Sequence, residues 1–129
     1  MAIQKAEAEK ILNGDIKLLV EKSKSLGEEL ARNLKTSQLR NIYGFVRHAQ
    51  MEWEKNPQVA YDNLILLMPK LAYFSDRTKG AMRPLKDDLD QAILVLLDDK
   101  GPNQLHFKNF LDYCEAVVAY HRANRKEQD

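Results

Sequence analysis

Apolar residues recur along the chain at three- and four-residue steps, and no stretch keeps up the period-two alternation of a half-buried strand. The pattern predicts helices nearly throughout, with the few Gly and Pro residues as punctuation. A first segment, Ala2 to Leu12, is rich in Ala, Glu and Lys and stops at Asn13-Gly14. Asp15 is the expected N-cap of a second helix reaching about Leu34, with Ile16, Leu19, Val20, Leu26, Leu30 and Leu34 on one apolar stripe. Thr36 or Ser37 is expected to cap a third helix, about Gln38 to Lys55, whose inner face carries Leu39, Ile42, Val46, Ala49 and Trp53. Asn56-Pro57 ends it and starts the next.

The fourth segment, Gln58 to about Lys79, contains Leu64-Ile65-Leu66-Leu67-Met68, apolar almost all round and therefore assigned to the core, with a break or kink expected at Pro69. Gly80 and Pro84 bracket the start of a fifth helix, about Leu85 to Leu97, with Leu85, Leu89, Ile93, Leu96 and Leu97 inward. The run Asp98 to Asn103 is the clearest loop. A last helix, about Gln104 to Asn124, turns Phe107, Phe110, Leu111, Cys114, Val117, Val118 and His121 to one side. Short connections between amphipathic segments predict an all-α, compact five- to six-helix bundle. Residues 1–129 form a single domain in this reading, with 1–14 loosely packed and 125–129 a frayed tail.

A chain of 129 residues can bury roughly two-thirds of its unfolded surface, so it needs no disulfide or metal to fold. The one cysteine, Cys114, cannot pair internally, which fits a reducing cytoplasm. The start, MAIQKAEAEK, lacks the apolar core of a secretory signal, and no apolar run approaches the roughly 20 residues of a membrane span. A cytoplasmic protein without membrane contact is expected.

Signatures of catalysis are sparse. The sequence has no Gly-rich phosphate loop, no GxSxG and no HExxH. Cys114 with His106 or His121 admits a nucleophile pair, against the alternative of a small core residue on an apolar face. His48 and Glu52, four apart on one helix, make half of a metal site with no matching half. Asp87, Asp88 and Asp90 lack the spacing of a calcium loop and read as partners of a helix N-terminus. The expectation is a protein that is not an enzyme and takes no cofactor or metal.

The distribution of charge carries more information than the net value of +1. Residues 32–83 hold nine Lys and Arg against four Asp and Glu; residues 84–99 hold one base against five acids. Arg40 and Arg47 stand two helical turns apart, about 10 Å along one stripe, and Lys70 and Arg77 repeat that spacing. Tyr43 lies between the first pair, and Tyr73 and Phe74 between the second. Cations in a row with interleaved rings suit a nucleic-acid backbone and its bases. The same residues also suit a solvated rim over packing aromatics.

Three segments resemble the small-subunit family of type III-A CRISPR (Csm) effector complexes. Thr36-Ser37-Gln38-Leu39-Arg40 is similar to that family's T-S-x-[LI]-R helix start. Lys70 to Arg77 resembles its K-x-x-Y-x-x-x-R segment, and Phe110 to His121 its C-terminal F-x-x-Y-x-E-A-[IV]-V-A-Y helix. The segments occur in the family's order over roughly residues 15–125. The resemblance implies a non-catalytic helical RNA-binding subunit, present in several copies along the backbone filament of a crRNA-guided complex, where it helps hold target RNA paired to the guide. RNA cleavage then belongs to the backbone subunit, and DNA cleavage and cyclic oligoadenylate synthesis to the large subunit.

Arg40, Lys70 and Arg77 match motif positions and are the implied phosphate contacts. Arg47, Lys79 and Arg83 join them from the charge stripe alone. Where the family typically has Gly before the motif arginine, this chain has Asp76, a carboxylate placed to pair with Arg77. Expected partners are crRNA and target RNA, the backbone and large subunits, and further copies of the chain. A helical protein–protein adaptor without RNA contact is the alternative, favoured by the acidic fifth helix.

Overall fold

A computed structural model describes residues 2–125. Among these lie seven helical segments: α1 (Lys5–Leu12), α2 (Ile16–Leu30), α3 (Thr36–Trp53), α4 (Pro57–Ile65), α5 (Leu67–Arg77), α6 (Arg83–Asp98) and α7 (Gln104–Arg125), and no strand. Counting α4 and α5 as two halves of one interrupted segment gives six, so the all-α bundle expected from periodicity is what forms.

Local chemistry explains most boundaries. The Asp15 carboxylate accepts from the Leu18 amide at 3.0 Å and starts α2 as expected. Asn56 caps α4 by accepting from Val59 N–H, with Pro57 in the first turn. The start of α3 differs from expectation: the helix begins at Thr36, and the Gln38 side chain reaches back to accept from the Lys35 amide at 2.9 Å. The break near Pro69 falls at Leu66, three residues upstream. The proline ring crowds the carbonyl four residues before it, that of Ile65, so α4 ends there.

Burial corrects several apolar assignments. Leu19, Leu26 and Leu30 face the core from α2, but Ile16 (58% exposed) and Val20 face solvent, and the polar Ser23 takes the inward position between Leu19 and Leu26. Leu66, in the apolar run assigned to the core, is half exposed at the helix break, while Leu64 and Leu67 on either side are buried. On α6, Leu97 turns outward, and Ala92 and Val95 fill the core beside Leu89, Ile93 and Leu96. Leu97 lies a further 100° round the helix from Leu96, beyond the edge of the buried stripe.

The expectation for the N-terminal segment is also corrected. The α1 segment is not loose: Ala8, Ile11 and Leu12 are buried, and α1 packs on α6 and α7. At the other end, Arg125 is buried and its guanidinium donates to the Ala31 carbonyl at 2.8 Å, so the order expected to fray there extends through Arg125; the rest of that tail lies outside the described residues.

The core is held along α7. Its most extensive neighbour is α2, and the two approach so closely that a Cβ on Gly27 would lie 2.6 Å from Tyr120 Cβ and 2.8 Å from the His121 amide nitrogen. Trp53 at the end of α3 stacks on Phe107 near the start of α7, with ring centroids 4.2 Å apart. Buried polar links pin the remaining pieces. Asp88 accepts from Ile3 N–H (3.0 Å) and from the Tyr113 hydroxyl (2.8 Å). The His106 ring lies 2.8 Å from both Asp99 and Asn13, joining the end of α1 to the α6–α7 loop. Together α1, α2, α6 and α7 form the packed body, and they leave one flank of α3 and α5 facing outward.

Candidate nucleic-acid interface

The buried edge of α3 is fixed by Leu39, Ile42, Val46 and Ala49, all turned inward. Helical geometry then sends Arg40, Gly44, Arg47 and Met51 to the opposite side, where all four are exposed. On α5, Leu71 and Ser75 face the core, which leaves Lys70, Tyr73 and Arg77 along one outer stripe.

The Lys70 ammonium lies 4.9 Å from the centroid of the Phe45 ring, so this contact joins the outer face of α3 to that of α5. Arg47 stands 5.9 Å from the Tyr43 ring and Arg77 5.7 Å from the Tyr73 ring. Three of the six expected cations therefore lie over an aromatic ring. Lys79 is exposed in the turn after α5, in a left-handed conformation (φ 56°). Arg83, at the start of α6, is exposed but lines a separate hollow with Asp87 and Asp88. That carboxylate neighbourhood makes it the poorest of the six for an anion.

Asp76 does not take Arg77. Instead, Nη1 of Arg77 donates to the Tyr73 hydroxyl at 3.0 Å, and Asp76 forms no ion pair among the described residues. The aromatic positions are partly redistributed. Tyr43 turns half-buried toward α7, where its hydroxyl donates to Glu115 at 3.3 Å; burial raises it above its ordinary pKa, against the opposing pull of Arg47. Tyr73 remains outward at 55% exposure, with Phe74 edge-on to it. Phe45, 39% exposed, is the ring that sequence spacing did not single out. Its signal is a large apolar residue one helical turn from both Asn41 and Ala49, on the side that α4 and α5 only partly cover.

Two grooves flank α3, and their chemistry differs. The groove toward α7 is lined by Arg47 and Lys108 but also by Glu54, Asp112 and Glu115, and Lys108 is already paired with Asp112 at 2.8 Å. The groove toward α4 and α5, about 480 Å³, is lined by Asn41, Gly44, Phe45, His48, Asn63 and Lys70, with no carboxylate. A polyanion meets repulsion in the first and none from the lining of the second.

Groups considered for catalysis are not assembled. Burial pushes the Cys114 thiol up to about 12, which keeps it protonated and unreactive. His121 lies about two turns away along α7 and uses Nε2 to bond the Leu34 carbonyl at 2.7 Å. His106 is engaged by Asp99 and Asn13, as above. Among the described residues no three His, Cys, Asp or Glu side chains are grouped to hold a metal, so His48 and Glu52 stay an isolated pair. The acids at the start of α6 divide: Asp88 is a core acceptor, Asp90 pairs with Lys86 at 2.7 Å, and Asp87 is exposed. The expected role of Asp88 beside the helix dipole is thus replaced by a structural one.

The molecule is an all-α domain whose distinguishing surface is a cationic, aromatic flank of α3 and α5. The family model described as Csm2 Type III-A matches residues 13–127, and the chain belongs to that family, which makes it a subunit of a type III-A CRISPR Csm complex. No curated protein and no solved structure matches the chain. No helix among the described residues is long and apolar enough to cross a membrane.

Proposed function

We propose that this subunit binds the RNA of its complex through phosphate contacts and contributes no chemistry of its own. Arg40, Arg47, Lys70, Arg77 and Lys79 supply the cations, with Arg83 at the margin, and the guide–target RNA pair lies along the α3–α5 flank. The observation that carries this reading is the groove beside α3 in which Lys70 sits with no carboxylate in the lining. Contact with phosphates carries no sequence information, so specificity belongs to base pairing with the guide, as in RNA-guided DNA effectors. The backbone and large subunits and further copies of the chain complete the assembly, which works in the cytoplasm. Several copies along one RNA convert weak single contacts into firm holding.

The test is RNA titration of the Arg40→Ala/Lys70→Ala variant beside the parent. Loss of two phosphate contacts is expected to weaken binding regardless of sequence and to reduce the slope of log affinity against log salt by about one to two. Equal affinity with an equal slope overturns the assignment of these two residues.

A second reading, a protein–protein adaptor, is favoured by one observation. Leu94 and Leu97 are exposed on the outward side of α6, beside the exposed Asp87 and Asp98. An adaptor without RNA contact would bring down protein but no RNA after gentle lysis.

A further inference from the structure

Gly44 stands in the middle of α3, where glycine costs roughly 1 kcal/mol of helix stability relative to alanine. No packing constraint explains it: a Cβ built there meets nothing within 4 Å. What a side chain would do instead is intrude on the groove between α3 and the α4–α5 segment. That groove has an apolar wall in Phe45, a cation in Lys70, and polar side chains in Asn41, His48 and Asn63. None of these three polar side chains has a protein hydrogen-bond partner among the described residues, so their donors and acceptors are available to a ligand.

Resting on the RNA-binding reading above, we propose that this groove is a nucleobase pocket, taking one unpaired base of the bound RNA stacked against Phe45. Each part has a separate task. Phe45 offers a ring face, which every base can use. Asn41 and Asn63 each present both a donor and an acceptor, and His48 adds an imidazole, so the edge of a purine or a pyrimidine finds partners. The Lys70 ammonium lies over the Phe45 ring, 4.9 Å from its centroid. An incoming base displaces it toward the phosphate of the same nucleotide, exchanging a cation–π contact for an ion pair. Gly44 keeps the floor open.

A fully paired duplex cannot use this site, because its bases are stacked on one another and present only edges and backbone to a protein. The pocket therefore distinguishes unpaired from paired nucleotides, which the surrounding phosphate contacts do not. It recognises a splayed nucleotide without selecting its sequence.

The experiment uses the full chain and a short RNA carrying one fluorescent adenine analogue, either single-stranded or paired throughout, at low salt. With the parent, the analogue is expected to be quenched in the single strand and unchanged in the duplex. Phe45→Leu and Gly44→Leu are each expected to weaken single-strand binding by about tenfold and abolish the quench, leaving duplex affinity and its salt slope at the parent's values. Gly44→Leu also serves as the folding control, since an exposed helical leucine should not lower the melting temperature. Parent-like single-strand binding and quenching by both variants overturns the pocket and leaves the phosphate reading intact. Failure of the parent to bind either RNA overturns both.

Discussion

Gly27 and Gly44 both stand inside helices, and the structure gives them opposite consequences. At Gly27 the absent side chain lets α2 approach the Tyr120–His121 backbone of α7, where a Cβ would come within 2.6 Å of Tyr120 Cβ. Neither neighbour is the free end of a flexible chain, so the helices themselves must separate. Gly27→Ala is expected to destabilise the fold by about 1–3 kcal/mol. Gly44→Ala meets nothing and is expected to stabilise it by up to about 1 kcal/mol through helix propensity. Urea denaturation of the two variants beside the parent checks both signs. The same scale explains why Cys114 is inert: a thiol held near 12 by burial cannot supply a thiolate at neutral pH.

Between elements, the buried Asp88 carboxylate ties the N-terminal segment to α6 and α7. Burial raises its pKa above the ordinary 3.8, while the Ile3 N–H and the Tyr113 hydroxyl pull it back only in part. An acid whose pKa is raised on folding makes the folded state bind more protons than the unfolded one. Its favourable contribution is complete below the ordinary value and is lost as pH rises through the folded-state value. Asp88→Asn is nearly isosteric: its amide oxygen accepts from Ile3, and its NH₂ donates to the Tyr113 oxygen. The variant is expected to remove this pH dependence and to gain on the parent as pH rises, as read from urea midpoints across acid to neutral pH.

Element boundaries were largely legible in the sequence, because caps and breakers act over three or four residues. Asp15 and Asn56-Pro57 fall where local chemistry puts them, and the loop between α6 and α7 starts at Asp99, one residue later than the pattern suggests. Which side of a helix ends up inside was less so. Ile16, Val20 and Leu97 fit an apolar stripe in sequence but face solvent, since the buried width of a helix depends on how many neighbours it has. The α1 segment, polar in composition, is packed because α6 and α7 together offer it a seat.

At the scale of the molecule, charge separates onto two surfaces. The α3–α5 flank carries cations and rings, while the outer side of α6 carries Leu94 and Leu97 with Asp87 and Asp98. The two surfaces are expected to serve different partners. Leu94→Glu/Leu97→Glu should leave RNA affinity near the parent's and reduce incorporation into the complex, measured by co-purification with the other subunits. Loss of RNA binding alongside assembly would mean that the surfaces are not independent.

The candidate interface shows the same division between local and distant information. Spacing alone placed Arg40 with Arg47 and Lys70 with Arg77, because two helical turns return a side chain to its stripe. It could not join the pairs, for they lie on helices separated by Glu54, Lys55, Asn56, all of α4 and Leu66. Nor could it separate Phe45 from Tyr43, which differ by two residues and point to opposite grooves. By itself the sequence determined the helices, their caps, the basic middle and the acidic α6, all consequences of chemistry within a turn or two of chain. Only the tertiary structure decided that Lys70 reaches Phe45, that the carboxylates fall in the other groove, and that Gly44 borders an open space. Those depend on how the helices pack, and packing is set by contacts between residues far apart along the chain.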